Sequence, residues 1–282
     1  MPSAARLRDL IALLDDEDAD VRAAVVAQLE TYGPALDAEL ARSDIRLDAA
    51  QRTLIRTLLR DGGRRRLLAA WPGWSVPADD YAKLEGSLAL LSEYQIGRVA
   101  EGALGRQLDA LARDYADLTT VRDGLDLARY LFRERGLHGA EEDYYNPLNS
   151  SLVHVLTTKK GLPISLVCIF MLVGNRLGVR VEGCNFPGHF LAFVPRGPVK
   201  LIVDCFDGGR VMDMRALAAL NPALNLEGGD LKKLECTAET IVARTLRNLS
   251  NAYRQLGEST ESAFMEELIG RLSGADEGSE EA

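Results

Sequence analysis

Three residues in the central part of the chain have the side chains that nucleophilic catalysis requires. His189 enters a short apolar run at residues 190–194, and Asp204 follows a second apolar run at residues 201–203. A carboxylate beside an imidazole holds the ring in one tautomer and stabilises its charged form. Ser165 lies at a predicted helix start, just after a proline, which is favoured in a first helical turn. These residue types and positions predict a candidate catalytic site of Ser165, His189 and Asp204.

The same residues also have a purely structural interpretation. A histidine beside a strand can be a hydrogen-bonded structural residue, and Asp204 and Asp207 beside two glycines are typical of turns. A serine in the first turn of a helix is most often a cap. The residues alone leave both interpretations open. We expect Ser165 to cap its helix, and His189 and Asp204 to form a hydrogen-bonded pair that steadies a sheet.

Pairing of His189 with Asp204 requires two adjacent antiparallel strands. The sequence PRGP at residues 195–198 separates the two apolar runs and is typical of a turn, so a hairpin is predicted. Neighbouring strands lie about 5 Å apart, within reach of a side-chain hydrogen bond. A third strand is predicted within residues 179–184, and the strands are expected to be concentrated between residues 179 and 215.

Helical periodicity surrounds this β-rich region. Residues before about 135 and after about 237 carry apolar side chains at helical spacing. Residues 6–33 are predicted to form a helix pair that resembles a single HEAT repeat. Glycines and prolines concentrate in residues 61–77, which predicts a linker or irregular connection there.

Composition and charge limit the classes of partner. The chain has 282 residues, 47% of them apolar, a formal net charge of −9 and a pI of about 5.0. Nucleic acid and anionic lipid both require a basic surface, so neither is an expected partner. The most apolar run, residues 162–177, is interrupted by polar side chains and falls short of a membrane span. The start of the chain has no signal-peptide pattern, so we expect a cytoplasmic protein with reduced cysteines.

Sequence motifs for metals and cofactors are absent. The chain has no HExxH, no Walker A sequence, no GxGxxG and no cysteine-histidine cluster with zinc spacing. His138 and His154 stand alone in the sequence, where surface or structural roles suit them better than ligation. We therefore expect no cofactor and no metal site.

Four short motifs follow one another in the second half of the chain: YYNPLNS at 144–150, KGLPISL at 160–166, NFPGHF at 185–190 and VDCFDGG at 203–209. Together they resemble the bacterial SirB-type branch of the transglutaminase-like superfamily, whose domain also occurs in some eukaryotic F-box proteins. The resemblance covers roughly residues 80–215, and the end of the chain resembles the tetratricopeptide-like tail of that branch. It implies an α+β fold with a papain/transglutaminase-like core, in which a helix packs on a small antiparallel sheet between helical N- and C-terminal regions.

The resemblance also implies roles for the candidate residues. Active members of the superfamily use a Cys-His-Asp triad for acyl transfer or hydrolysis, and His189 matches the base while Asp204 matches the orienting carboxylate. The nucleophile does not carry over, because Ser165 stands at or within one residue of the position that cysteine occupies. Serine has no accessible anionic form near neutral pH, so this difference removes the thiolate on which that chemistry depends.

The cysteines near these positions have open roles. Cys168 lies about one helical turn beyond Ser165 and is expected to be a small buried apolar residue. Cys184 and Cys205 flank His189 and Asp204 in the sequence, so either thiol could approach the site.

These patterns predict four parts of the chain: a helical N-terminal module with a HEAT-like start at 1–77, a transglutaminase-like domain with a helical lead-in at 78–236, a tetratricopeptide-like hairpin at 237–273, and a disordered acidic tail at 274–282. Two functions follow as the main hypotheses, and binding of a small molecule in the cleft is a third. The first is a degenerate domain that acts in protein–protein interaction or regulation, since helical repeats present extended surfaces to partners. The second is a cryptic hydrolase or acyltransferase that uses Ser165, His189 and Asp204 on a peptide or amide. Neither the substrate nor the protein partner can be read from the sequence.

Overall fold

The computed structural model describes residues 4–77, 79–197, 199–213, 216–217 and 233–273, and the predicted disordered tail at 274–282 lies outside them. The chain divides into two compact units. The first consists of residues 1–74 with residues 90–101, and the second of residues 75–89 with residues 102–282. The described residues form helices and two small sheets, one parallel and one antiparallel, which confirms the predicted α+β class.

The first unit is helical in its described part, with α1 Ala4–Ala12, α2 Ala19–Glu30, α3 Leu36–Arg42, α4 Ala49–Ala70 and the second half of α5, Asp80–Ile96. Helices α1 and α2 are the helix pair predicted from residues 6–33. Asp18 begins α2 as its cap, accepting a hydrogen bond from the backbone N–H of Asp20. Apolar side chains from α1, α2, α3 and α4, among them Leu7, Leu29 and Ile55, form one shared core.

The linker or irregular connection predicted at residues 61–77 is wrong for residues 61–70, whereas residues 71–77 form a short 3₁₀ helix, Trp71–Ser75, and irregular chain. Helix α4 runs without a break through Gly62 and Gly63, and both glycines are buried. Gly62 faces Glu30 of α2, whose carboxylate pairs with Arg66, and a β-carbon at Gly62 would collide with that carboxylate. The glycine makes room for a neighbouring helix, a role that composition cannot distinguish from a break in the chain.

The second unit holds the first half of α5 together with α6 Ala103–Leu118, α7 Gly124–Arg129, α8 Leu152–Thr158, α9 Pro163–Arg176, α10 Ala238–Gln255 and α11 Ser259–Ser273. Helix α9, which begins at Pro163 as predicted, is the centre of this unit. Every residue of α9 from Pro163 to Gly174 is buried, because helices α6, α7, α8 and α10 and the antiparallel sheet surround it. A helix that is apolar on all sides requires such an enclosure.

The strands of the second unit are β1 His138–Gly139, β2 Lys160–Gly161, β3 Glu182–Cys184, β4 Leu191–Arg196, β5 Val199–Asp204 and β6 Arg210–Met212. Strands β3 to β6 form an antiparallel sheet in chain order, as predicted for residues 179–215. Strands β4 and β5 are the predicted hairpin, and their register pairs Arg196 with Val199. Gly197 lies in the turn with a φ of +61°, a conformation that favours glycine.

The parallel pair of β1 and β2 lies outside the predicted range of strands. Each of these strands has two residues, which is too short to produce a period in the sequence. Gly139 of β1 lies against the ring of Phe206, since a β-carbon there would approach three ring atoms to 2.6 Å. The pair therefore depends on a tertiary contact with the segment that follows Asp204.

Helices α10 and α11 form a helical hairpin at the end of the described chain. Gly257, with a φ of +74°, lies in the short connection between them. The Ser250 and Ser262 hydroxyl groups are 3.0 Å apart in the interface, and the Ser250 hydroxyl donates to the Glu266 carboxylate at 2.6 Å. These contacts confirm the helices predicted after residue 237.

The described part of the chain contains no helix that combines the length and the apolar character needed to cross a membrane.

The close packing of α9 generates a stability prediction. A β-carbon at Gly174 would lie 2.7 Å from the Val179 carbonyl oxygen and 3.1 Å from Val181 Cγ2. Gly174→Ala is therefore expected to lower the free energy of unfolding by about 1–3 kcal/mol, measured by urea denaturation, because backbone must move. Gly270→Ala in α11 is the matched control, since no atom would lie within 4 Å of its β-carbon. It is expected to raise the free energy of unfolding by up to about 1 kcal/mol. A Gly174→Ala protein as stable as the unmodified chain would contradict this packing.

Candidate functional site

Asp204 ends strand β5 with its carboxylate almost completely buried, at 4% side-chain exposure. Its Oδ1 accepts hydrogen bonds from the backbone N–H groups of Phe206 at 3.1 Å and Asp207 at 3.2 Å. Gly208 and Gly209 follow with φ angles of +58° and +73°. The Gly209 N–H donates a hydrogen bond to the Asp204 carbonyl at 2.9 Å. The two glycines thus allow the tight turn that aims backbone donors at the carboxylate.

His189 lies two residues before β4 begins, and its ring forms a hydrogen bond with Asp204, as predicted. The His189 Nε2 and Asp204 Oδ2 atoms are 3.0 Å apart, and the histidine side chain is 27% exposed. The His189 backbone N–H donates to the Phe186 carbonyl at 3.1 Å, which closes the turn before the strand. Because the carboxylate accepts from Nε2, the neutral ring carries its proton there and Nδ1 is the remaining acceptor. Within the described residues, Nδ1 has no hydrogen-bond partner.

The pKa of Asp204 reflects a balance of opposed effects. Burial by itself raises this pKa, but the hydrogen bond and charge of His189 and the two backbone N–H groups outweigh burial and bring it below the ordinary value of 3.8. Arg210 adds a more distant positive charge, with its Nη2 3.9 Å from Asp204 Oδ2. The carboxylate is therefore ionised at neutral pH and able to orient the imidazole.

Ser165 does not cap its helix, so that prediction is wrong. The N-cap of α9 is Leu162, which makes Ser165 the third residue of the helix. The Ser165 side chain is buried and donates its hydroxyl hydrogen to the Asn149 carbonyl at 2.8 Å. Among the residues that the structure describes, Ser165 and His189 share no hydrogen bond. The prediction failed because a serine in a first turn can bond outside its own helix when another chain segment lies close.

The segment with the sequence YYNPLNS holds that acceptor in place. Asn146 caps a 3₁₀ helix, Pro147–Ser150, by accepting a hydrogen bond from the Leu148 N–H at 3.0 Å. Asn149 then presents its carbonyl both to Ser165 and to the Leu162 N–H, which donates at 3.2 Å. The motif is thus a scaffold for the start of α9, a role that its sequence position did not reveal.

The cysteines offer no activated thiol. Cys168, Cys184 and Cys205 are buried, as expected for Cys168. Burial raises the pKa of the Cys184 thiol to about 12 and also raises those of Cys168 and Cys205. Cys236 is partly buried, and its pKa is likewise raised to about 12. A thiol with such a pKa supplies almost no thiolate at neutral pH.

A cleft of about 530 Å³ borders the loops that hold the site. Its lining includes Asn149, the segment of Phe206, Asp207 and Gly208, and residues of the 138–143 segment. Ser165 and His189 do not line it. In the described residues, no group of three or more histidine, cysteine or acidic side chains is arranged to hold a metal ion.

Arg244 of α10 is a site residue that the sequence reasoning missed. Its guanidinium bonds to the Asn185 side chain and to the Phe186 carbonyl, and its central carbon lies 5.1 Å from the centre of the Phe190 ring. These three partners surround His189 in the sequence. Helical periodicity predicted α10 but carried no signal that one of its arginines contacts this turn.

Comparison with known proteins shows the family of this chain. A family model described as the transglutaminase-like superfamily matches residues 102–247. The chain belongs to this superfamily. No solved structure matches it.

Curated relatives are similar to parts of the chain. A UPF0162 protein of Xylella fastidiosa strain Temecula1 is 40% identical over 131 residues, which cover 44% of this chain and 47% of the relative. A UPF0162 protein of Pseudomonas aeruginosa is 31% identical over 185 residues, covering 63% of this chain and 67% of the relative. Mouse F-box only protein 21 is 39% identical over 84 residues, covering 29% of this chain and 13% of the relative. The chain thus spans about half the length of the Xylella relative.

The Asp204 carboxylate generates a prediction about acid stability. Its folded pKa lies below 3.8, so its stabilising effect is present above that pH and is lost as the pH falls further and the group protonates. Asp204→Asn is expected to lower the free energy of unfolding by roughly 1–3 kcal/mol at neutral pH. This difference from the unmodified protein is expected to shrink below about pH 4 in urea denaturation series.

Asp207→Asn is the control for that series, because Asp207 lies three residues away with an exposed side chain. Its effect on unfolding is expected to be small. A constant difference between Asp204→Asn and the unmodified protein from neutral pH to pH values well below the ordinary Asp pKa would contradict the predicted role of the ionised carboxylate.

Proposed function

We propose that this transglutaminase-like domain is degenerate in its chemistry and acts in protein–protein interaction or regulation. The observation that carries the proposal is the hydrogen bond of Ser165. Its hydroxyl is buried and donates to the Asn149 carbonyl, so its hydrogen is directed to the main chain and away from a base. A serine nucleophile requires a base within hydrogen-bond reach and donors that stabilise the developing oxyanion.

The His189–Asp204 pair has a structural role in this proposal. It connects the turn before β4 to the end of β5, and a hydrogen bond with a charged partner contributes about 1.5–3 kcal/mol. The raised pKa values of the cysteine thiols support the same conclusion, because no cysteine replaces the missing nucleophile.

The partner is expected to be a protein. We place the chain in the SirB-type branch, supported by its four motifs and by the UPF0162 relatives. We assign α10 and α11 as a tetratricopeptide-like hairpin, whose surface would add to the binding face of the 78–236 domain. The 1–77 region would be a separate helical module. The acidic net charge of −9 supports a partner other than nucleic acid.

A cryptic hydrolase or acyltransferase is the second candidate, favoured by one observation. His189 Nε2 faces Asp204 and leaves Nδ1 without a partner among the described residues, which is the state that a general base requires. Ser165 would have to release the Asn149 carbonyl and turn its hydroxyl toward that nitrogen. Such a rearrangement on substrate binding would give a peptide or amide hydrolase.

Active-site probes distinguish the two functions. A fluorophosphonate probe is expected to leave Ser165 unlabelled, because its hydroxyl is buried and bonded to a carbonyl. Iodoacetamide is expected to react slowly, and first with Cys236, since the other three cysteines are buried. Intact-mass and peptide mass spectrometry measure both reactions, and iodoacetamide treatment in urea, where all thiols are accessible, is the positive control.

Labelling of Ser165 by the fluorophosphonate probe would contradict the proposal. Stoichiometric fluorophosphonate labelling at Ser165, abolished by His189→Ala in a protein that still folds, would overturn the non-catalytic role and make the hydrolase the leading function. Circular dichroism of the His189→Ala protein excludes loss of labelling through unfolding.

A further inference from the structure

Arg244 is a half-buried cation without an acidic partner in the described residues. Its Nη1 group donates to the Asn185 side-chain oxygen and, at 3.2 Å, to the Phe186 carbonyl. One face of the guanidinium lies over the Phe190 ring. Burial lowers the pKa of Arg244, although an arginine side chain stays charged in proteins. A partly desolvated charge is costly unless an opposite charge compensates it.

Two other partly buried cations of the same unit have such compensation. Arg176 bonds to both Glu85 and Asp109, at 2.8 and 2.6 Å. The Lys200 Nζ atom lies 2.5 Å from one carboxylate oxygen of Glu182 and 2.5 Å from one of Glu235. The chain has a net charge of −9, yet Arg244 pairs with no acidic side chain in the described structure.

The open edge of Arg244 has the geometry of an anion site. Nη1 is bonded to protein, whereas Nε and Nη2 have no partner among the described residues. These two groups donate in parallel from one edge of the planar guanidinium, which matches the two oxygens of a carboxylate. The Phe190 ring and this charged edge lie beside the turn that carries His189.

We propose that Arg244 binds a carboxylate group of the partner through its Nε and Nη2 edge, with Asn185 and Phe190 holding the guanidinium in place. The proposal rests on the proposed function, because it names the chemistry of the partner segment that meets this face: an acidic peptide. One guanidinium matches the single charge of a carboxylate, whereas a phosphate is usually met by several donors or cations. The Phe186 carbonyl accepts from both Arg244 and the His189 N–H, so a bound carboxylate would lie close to the His189 turn.

A titration with sodium acetate tests the site without knowledge of the natural partner. The protein is labelled with ¹⁵N at full length, and the Nε–Hε resonance of Arg244 is assigned by correlation with the backbone resonances of the same residue. This resonance is expected to shift as acetate is added and to reach saturation at millimolar acetate concentrations. Sodium chloride at equal ionic strength is the control for screening. The Nε–Hε resonance of Arg247, an exposed arginine one turn further along α10, is expected to show only the change that chloride produces.

Two variants test the fork itself. Arg244→Gln removes the charge, and acetate affinity read from the Asn185 side-chain amide is expected to fall at least about tenfold. Arg244→Lys keeps the charge but lacks the paired donors, and is expected to bind more weakly than the unmodified protein. Arg247→Lys is the matched control and is expected to leave the affinity unchanged. Thermal denaturation of each variant reports whether it folds. The titration of the unmodified protein tests the site even if a variant does not fold.

The outcomes separate this inference from the proposed function. An Arg244 resonance that moves no more with acetate than with chloride overturns the carboxylate site. Saturation with inorganic phosphate but not with acetate overturns the assignment to a carboxylate. Fluorophosphonate labelling of Ser165 would instead overturn the non-catalytic function, and it would leave a saturable acetate shift at Arg244 as evidence for the anion site.

Discussion

The enclosure of helix α9 is the constraint on which the second unit depends. Its residues from Pro163 to Gly174 are buried on every side, and fully burying one large aliphatic or aromatic side chain contributes roughly 1.5–3 kcal/mol. That gain requires neighbours all around the helix, which fixes where α6, α7, α8, α10 and the antiparallel sheet must lie. Gly174 is part of the same constraint, because the main chain at Val179 turns back against it.

A buried helix cannot leave a polar group without a partner. Ser165 stands among apolar residues of α9, and a buried hydroxyl without a hydrogen bond costs about 1–3 kcal/mol. The Asn149 carbonyl removes that cost and ties the YYNPLNS segment to the helix start. The same satisfaction lowers reactivity, since the hydrogen that a base would remove is already held by the main chain. In the proposed function, stability and loss of chemistry thus have one physical origin at this position.

Electrostatics separate two kinds of charged group in this unit. Asp204 is a buried anion whose oxygens are met by backbone N–H groups and by His189, so it is compensated from within. Arg244 is a half-buried cation whose described contacts are neutral, so it is compensated only in part. The proposed binding of an acidic partner rests on this difference between the compensated anion and the partly compensated cation.

The sequence by itself determined the α+β class, the helix at Pro163, the β4–β5 hairpin and the meeting of His189 with Asp204. These follow from local periodicity, from turn chemistry and from the motifs, all of which act over short distances along the chain. Tertiary structure alone decided the partner of Ser165, the burial of Gly62 within α4, the parallel β1–β2 pair and the place of Arg244. Each of these joins segments that are far apart in the chain, such as Glu30 with Gly62 or Asn185 with Arg244, and carries no periodic signal. Packing supplies the partner in every case, and a residue's type does not encode which distant segment will lie against it.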